Sequence, residues 1–521
     1  MRIKKYNYNL GLLFDDIASE QSSQVAIKFT DNTAVSYQNL KESSNSIARY
    51  MLNHGVKSGD IVAIFNEKTQ YSYSIMIACL KIGATYTNLD PNSPIERLHK
   101  MLQVCEPKHY FVNDDKYVRK LGDVQVLKEC ITLYSSKLFT EELKLLGTDS
   151  LTESEYVNGD MAAYLMFTSG STGFPKGVII SHASVLNFIH WAKTTFKITS
   201  DDVLTNLNPM HFDNSVFDFY ASLFNGAAMI AVPEPTLRVP RTLLDTLNPL
   251  NPTIWFSVPS LLVYITKMRA WKEADLSKLR TVSFGGEGYP KSQLRALWAI
   301  MGERVNLVNV YGPTEGTCIC SSYPVSKSDL EVDELLPLGP LAPNFDFLIM
   351  TNKQEKVDPG EIGELCLIGP NVAKGYYNNW EKSQEVFIRN PYCKAYNQIM
   401  YRTGDLVKFD EHENMLYFCG RTDNQIKRMG YRIELEEIEA ALGSLEQVNE
   451  SAIVYHKMEE SNGKIIACVC GDYSCEAQIL LDLRDLLPMY MIPNEVVFLR
   501  DLPKNQNGKI DRLALKKEFC K

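Results

Sequence analysis

The chain has 521 residues, 45% apolar and 22% charged, with a formal net charge of -9 and a mean hydropathy of -0.18. That length exceeds what one hydrophobic core organises, so at least two domains with a deep interface are expected. The acidic balance excludes a general nucleic-acid surface, which needs clustered positive charge, and no run reaches the ~18 apolar residues of a membrane span.

The first residues are basic but lead into no signal-peptide core, so a cytoplasmic protein is expected. From residue 10 to about 113, helical stretches alternate with short apolar strands at 25–29, 61–65 and 110–112, the pattern of a doubly wound α/β sheet. Residues 73–83 read as a buried helix closed by Gly83. Further strand and helix alternation runs through 253–259, 281–288 and 305–315, each strand ending in glycine or proline where open α/β sheets bind ligands. After residue 336 the strands shorten into a β-rich subdomain extending to about 421. Residues 422–521 then read as a small α+β unit containing an amphipathic helix at 435–442. The 12 cysteines lack the histidines and spacing of zinc sites and read as reduced structural thiols.

The most informative stretch is 164–178, where an apolar strand enters Thr168-Ser169-Gly170-Ser171-Thr172-Gly173-Phe174-Pro175-Lys176-Gly177 and leaves into another strand. Its glycines permit close backbone approach, and its hydroxyls and Lys176 supply donors for an anion. The spacing is not GxxxxGK[ST], because Pro175 and Gly177 flank the lysine. By composition alone the loop suits either phosphate binding or an ordinary surface turn. Asp213, within the aromatic run 208–220, is expected either to cap a helix or to receive a cation.

Ten segments taken in order, at 35–40, 80–90, 167–177, 212–215, 309–315, 363–377, 401–406, 420–439, 487–493 and 507–512, resemble the core motifs of adenylate-forming enzymes. Within that superfamily of acyl-CoA synthetases, luciferases and peptide-synthetase adenylation domains, the chain is most similar to the amino-acid adenylation domains. The resemblance implies a large N-terminal domain over 1–421, a mobile C-terminal domain over 422–521 and a hinge at Asp423. It further implies ATP and Mg2+ as cofactors. Tyr311 would stack on adenine, Thr314 would contact the α-phosphate, Glu315 would hold magnesium, and Asp405 would take the ribose hydroxyls. Arg421, Gly286, Glu287, Asn309 and Gly312 would complete the nucleotide site together with Thr168, Ser169, Gly170, Ser171, Thr172, Gly173 and Lys176. Lys509 matches the catalytic lysine of adenylation, and the segment 429–432 matches the part of the family that approaches the site for thioester formation.

Asp213 matches the aspartate that pairs with the ammonium of an α-amino acid, so the resemblance implies an amino-acid substrate. Aligned to the motifs, Asn214, Phe217, Phe256, Val282, Phe284, Gly285, Val310, Cys318 and Ile319 would line an uncharged side-chain pocket suited to a small or medium residue. Nothing after Arg512 resembles a carrier domain, so the implied acceptor is a phosphopantetheinylated carrier protein in trans, with no nucleic acid or membrane as partner. Two alternatives remain. One is a D-alanine:carrier protein ligase, although Gly285 stands where those enzymes carry cysteine, which would open the pocket. The other is an acyl-CoA synthetase for a plain carboxylic acid. His211 either gates the site or packs.

Overall fold

The computed structural model describes residues 6–124, 126, 128–170, 173–272, 275–446, 448–458, 463–471, 476–505 and 510–520, and among these the strands form five sheets. A six-stranded sheet runs in the order Ile131–Leu133, His109–Val112, Ile61–Phe65, Thr85–Leu89, Ala162–Thr168 and Lys176–Ser181. It is parallel except for its last pair. Ile61–Phe65 is buried on both faces, which explains its unbroken apolar sequence.

The eight-stranded sheet has parallel central strands Asn306–Tyr311, Thr281–Gly285, Ile254–Ser257, Val203–Asn206, Ala228–Ala231 and Val25–Phe29, with antiparallel strands at both edges. The two sheets share one core: Val62, Tyr86 and Tyr164 from the first meet Ile27, Phe256 and Val310 from the second across Phe14, Ile75 and Phe188 of the helices between them. The alternation of strands and helices predicts this doubly wound, mixed architecture. The helix Gln70–Ile82 shows how local sequence sets the boundaries. Thr69 and Ser72 cap each other's backbone at its start, and Gly83, at φ 70°, satisfies the Cys79 carbonyl at its end.

Beyond these layers lies a five-stranded antiparallel sheet built from Asp346–Met350, Ile362–Ile368, Phe387–Arg389, Ile399–Asp410 and Met415–Arg421. A smaller C-terminal domain follows. The hairpin Gln425–Arg428 with Tyr431–Glu434 leads into the helix Leu435–Gly443 and a three-stranded sheet, and Ile438, Ile453, Ile465 and Leu483 belong to a core of their own. No helix among the described residues is long and apolar enough to cross a membrane.

The N-terminal helix Leu10–Glu20 is tied to the rest of the chain through His182, whose Nδ1 accepts the Leu10 N–H at 3.1 Å. Only a neutral imidazole can accept there, and burial lowers the His182 pKa from 6.5 to about 3. The folded state thus binds this proton less readily than the unfolded chain, so the stabilisation is complete above 6.5 and is lost as pH falls toward about 3. The melting temperature is expected to decline across this window, with a shallower decline in His182→Asn, which keeps an acceptor without titrating; differential scanning calorimetry against pH checks this.

Candidate active site

The carboxyl ends of the parallel strands open onto one cleft between the N-terminal layers and the C-terminal hairpin. Its walls include Thr168, Ser169, Phe212, Asp213, Asn214, Gly286, Gly312, Thr314, Asp405, Arg421, Lys427 and Arg432. The cavity volume is only about 70 Å³, far below the roughly 300–1,000 Å³ of ordinary small-molecule pockets. Side chains of the C-terminal domain occupy the space.

Glu315 is fully buried behind the cleft residue Arg432. Its Oε1 accepts the Tyr376 hydroxyl at 2.7 Å, and its Oε2 takes the Arg432 guanidinium at 2.7 Å. Burial alone would raise this carboxyl, but Arg432 and Lys176 outweigh it and hold the pKa at about 2. Nearby, Asp405 accepts the Tyr311 hydroxyl at 2.6 Å and pairs with Arg421. Lys427 lies 5.3 Å from the centroid of the Tyr311 ring, so the aromatic face is covered by a cation.

The loop at 168–176 is engaged in a corresponding way. Gly170 donates its N–H to Glu437 at 3.2 Å, Lys176 reaches Glu434 at 3.2 Å, and Ser169 donates to the Arg432 carbonyl at 2.8 Å. Gly170 has to be glycine, since a Cβ would fall 1.9 Å from the Phe174 carbonyl oxygen. Lys176 is the first residue of a strand rather than a loop cation, and it is 6% exposed. Gly173 accepts Lys100 through its carbonyl. Ser171, Thr172 and Lys509 lie outside the described residues.

Asp213 precedes the short helix Asn214–Val216 without making a side-chain cap, and it accepts the Thr314 hydroxyl at 2.5 Å. Burial raises its pKa, with the Thr314 bond opposing. Glu287 bridges the domains, accepting the Ser260 N–H at 2.9 Å and the Gly430 N–H at 3.2 Å. Asn309 instead holds the Pro337 carbonyl, and Asp423 forms a two-pronged pair with Arg421. His211 sits beside Asp90 at 3.9 Å and against Phe212. Phe212 in turn meets Tyr431, which stacks on Tyr490 at 3.8 Å.

The expected side-chain pocket is only partly assembled from the expected residues. Phe217, Phe256, Val310, Cys318 and Ile319 share the inter-sheet core, and Asn214 lines the cleft. Val282 and Phe284 do not join them. Register pairs Val282 with Trp255 and Leu307, and both Val282 and Phe284 pack with Leu294 and Leu297 on the opposite face of the sheet. Ser283, paired with Phe256 and Val308, takes the inward place, fully buried and with no hydrogen-bond partner for its hydroxyl among the described residues. Gly285 is also inward, but a Cβ there would lie 2.4 Å from the Val310 carbonyl oxygen. Its lack of a side chain thus relieves a backbone clash rather than simply enlarging the pocket.

Sequence reasoning missed Arg97, which pairs with Glu437, and the cleft-filling Lys427, Glu434 and Glu437. Their only signal was a cluster of charges around 427–439, which reads equally well as a solvated face.

Residues 14–377 match the model of the AMP-binding enzyme family, and residues 437–509 match that of the AMP-binding enzyme C-terminal domain. The chain is 34% identical over 518 residues to bacitracin synthase 1 of Bacillus licheniformis, covering 98% of this chain but 9% of that protein. It thus spans about a tenth of the length of such relatives. An artificially fused adenylation–PCP di-domain from Klebsiella oxytoca superposes with a TM-score of 0.82 at 23% identity, covering 95% of this chain and 94% of that one. A double mutant of o-succinylbenzoate CoA synthetase from Bacillus subtilis superposes with a TM-score of 0.83 at 19% identity, covering 97% and 98%.

Gly430 tests whether the hairpin seats as described. It has φ 78°, and a Cβ would fall 2.1 Å from the Val258 Cγ1 across the domain interface. Gly430→Ala is expected to push the C-terminal domain away from the cleft while leaving both cores folded. Small-angle scattering should show a larger radius of gyration, with a lower melting temperature because Glu315 loses its buried partner.

Proposed function

The chain belongs to the AMP-binding enzyme family, and from that premise we propose that this adenylate-forming ligase activates an amino acid with ATP and passes it to a phosphopantetheine thiol on a carrier protein. The observation that carries the reading is the convergence of Asp213, Thr314 and Asp405 with Thr168 and Ser169 around one cleft, with Glu315 joined to it through Arg432. A half-buried carboxylate with a hydroxyl partner and no ammonium partner among the described residues suits a substrate amine. Its relatives among peptide synthetases support the same choice of substrate class and a carrier-protein acceptor.

In the first half-reaction a substrate carboxylate oxygen attacks the α-phosphorus, the bond to the bridging oxygen breaks, and pyrophosphate leaves. Thr314 borders the α-phosphate, Asp405 accepts the ribose hydroxyls, and Lys509 offsets negative charge growing on the phosphorus oxygens. Magnesium, when bound with the triphosphate, would neutralise phosphate charge, and Glu315, a buried carboxylate that takes a cation from Arg432 in this arrangement, is the residue suited to hold it. In the second half-reaction the thiolate sulfur attacks the acyl carbon and AMP leaves.

The hairpin cannot occupy the cleft during the first step. Arg432 takes the place of a cation at Glu315, while Glu434 and Glu437 take the places of phosphate oxygens at Lys176 and Gly170. The docked arrangement belongs to the second half-reaction, with rotation near Asp423, where strand Met415–Arg421 ends before the hairpin begins. We place the boundary between domains there, at 421/422.

Amino-acid-dependent exchange of labelled pyrophosphate into ATP tests the reading across the proteinogenic acids, their D forms and simple carboxylates. Exchange with at least one amino acid is expected, and exchange with carboxylates alone would remove the role of Asp213. Lys509→Ala is expected to lower exchange by about 10²-fold or more, while largely sparing transfer from preformed adenylate.

A further inference from the structure

A buried polar network that takes no part in the chemistry above lies behind the loop at 207–213. Asp218 is fully buried in a π-helical turn, Phe217–Ala221, immediately after the Asn214–Val216 helix. Its carboxylate accepts the Asn206 amide at 3.0 Å, the Asn208 backbone N–H at 3.3 Å and the Asn208 side-chain amide at 3.0 Å. The Asn208 amide also reaches the Phe256 carbonyl at 3.2 Å.

Lys68 approaches from the other sheet. Its ammonium donates to the carbonyls of Asn206 at 2.8 Å, Leu207 at 3.1 Å and Val232 at 3.0 Å, and it is 8% exposed. It does so from a backbone at φ 58°, a region that a side-chain-bearing residue rarely adopts. Asn66 fixes that turn by accepting the Lys68 N–H at 2.9 Å. It passes the connection to Asn88 at 3.1 Å, which donates to the Met210 carbonyl at 3.1 Å. The loop that ends in Asp213 is therefore gripped at Leu207, Asn208 and Met210 from two separate sheets.

Burying a cation and an anion this deeply is a poor way to gain stability, because desolvation offsets their attraction. Burial lowers the Lys68 ammonium and raises the Asp218 carboxyl, and each charge opposes that shift in the other. What such a network does well is hold one geometry, since every member loses partners if the loop moves.

We propose that Lys68 and Asp218 are positioning residues which, through Asn208, Asn66 and Asn88, hold the 207–213 loop so that Asp213 meets the substrate amine. This rests on the reading of Asp213 as the amine's partner. Displacement of a binding group by ~1 Å reduces catalysis by up to about 10²-fold.

The test uses the full chain with Lys68→Met and Asp218→Asn, and with Asn88→Ala as a milder variant that releases the Met210 carbonyl and the Asn66 amide while leaving Lys68 and Asp218 in place. Two readouts are needed. Amide hydrogen exchange without substrate is expected to quicken in 207–214 and stay unchanged in the strands of the six-stranded sheet. In pyrophosphate exchange, the KM for the amino acid is expected to rise about tenfold or more while the KM for ATP holds within about twofold. The preference for the amino acid over its desamino analogue should fall in step.

Unchanged loop exchange and KM in folded variants would overturn the proposal. So would a uniform rise in exchange across the domain with both KM values rising together, which marks a merely structural network. If the wild-type protein shows no amino-acid-dependent exchange, the role of Asp213 fails. The hydrogen-exchange arm still decides whether the network holds the loop.

Discussion

The ion pair between Glu315 and Arg432 is the interaction on which the rest of the arrangement depends. A carboxylate with no exposed surface cannot stay charged without a partner, and removing one partner from a buried pair costs about 3–5 kcal/mol. The partner here comes from the C-terminal hairpin. Whatever supplies positive charge to Glu315 therefore sets where the C-terminal domain sits.

The same logic extends along the cleft wall. Gly170 and, at the start of the next strand, Lys176 present N–H and ammonium donors suited to an anion, and two carboxylates of the C-terminal domain satisfy them. Arg97 strengthens this by pairing with Glu437 from the helix Ile95–Cys105. The docked domain thus carries both signs of charge in the order that a metal-bound triphosphate would present them. The seated C-terminal domain leaves a cleft of about 70 Å³. The aromatic contacts of Phe212, Tyr431 and Tyr490 add a non-ionic part to the same interface.

Much of this was legible in the sequence, for identifiable reasons. Ile61–Phe65 and the helix closed by Gly83 carry strong local signals, so their places emerge from pattern alone. Asp213, Thr314 and Glu315 stand in motif stretches; the first two line the cleft, and Glu315 lies behind it, paired with the cleft residue Arg432. Val282 and Phe284, placed in the pocket by alignment to the motifs, face away from it. The two large apolar residues of Thr281–Gly285 face the outer helices, and the small Ser283 and Gly285 face inward, because a one-residue shift in a strand exchanges its faces. Arg97, Lys427, Glu434 and Glu437 were illegible because their meaning depends on which distant segment they meet. As isolated charges they resemble ordinary surface residues.

The most direct test of alternating occupancy is to attach a donor dye to the N-terminal domain and an acceptor dye to the C-terminal domain, then follow energy transfer during titration with magnesium and ATP. If the triphosphate and the hairpin compete for the same partners, saturating nucleotide lowers the docked fraction, and Gly430→Ala starts from a smaller docked fraction with tighter apparent ATP binding. Nucleotide binding that leaves the docked fraction unchanged would contradict the competition at Glu315.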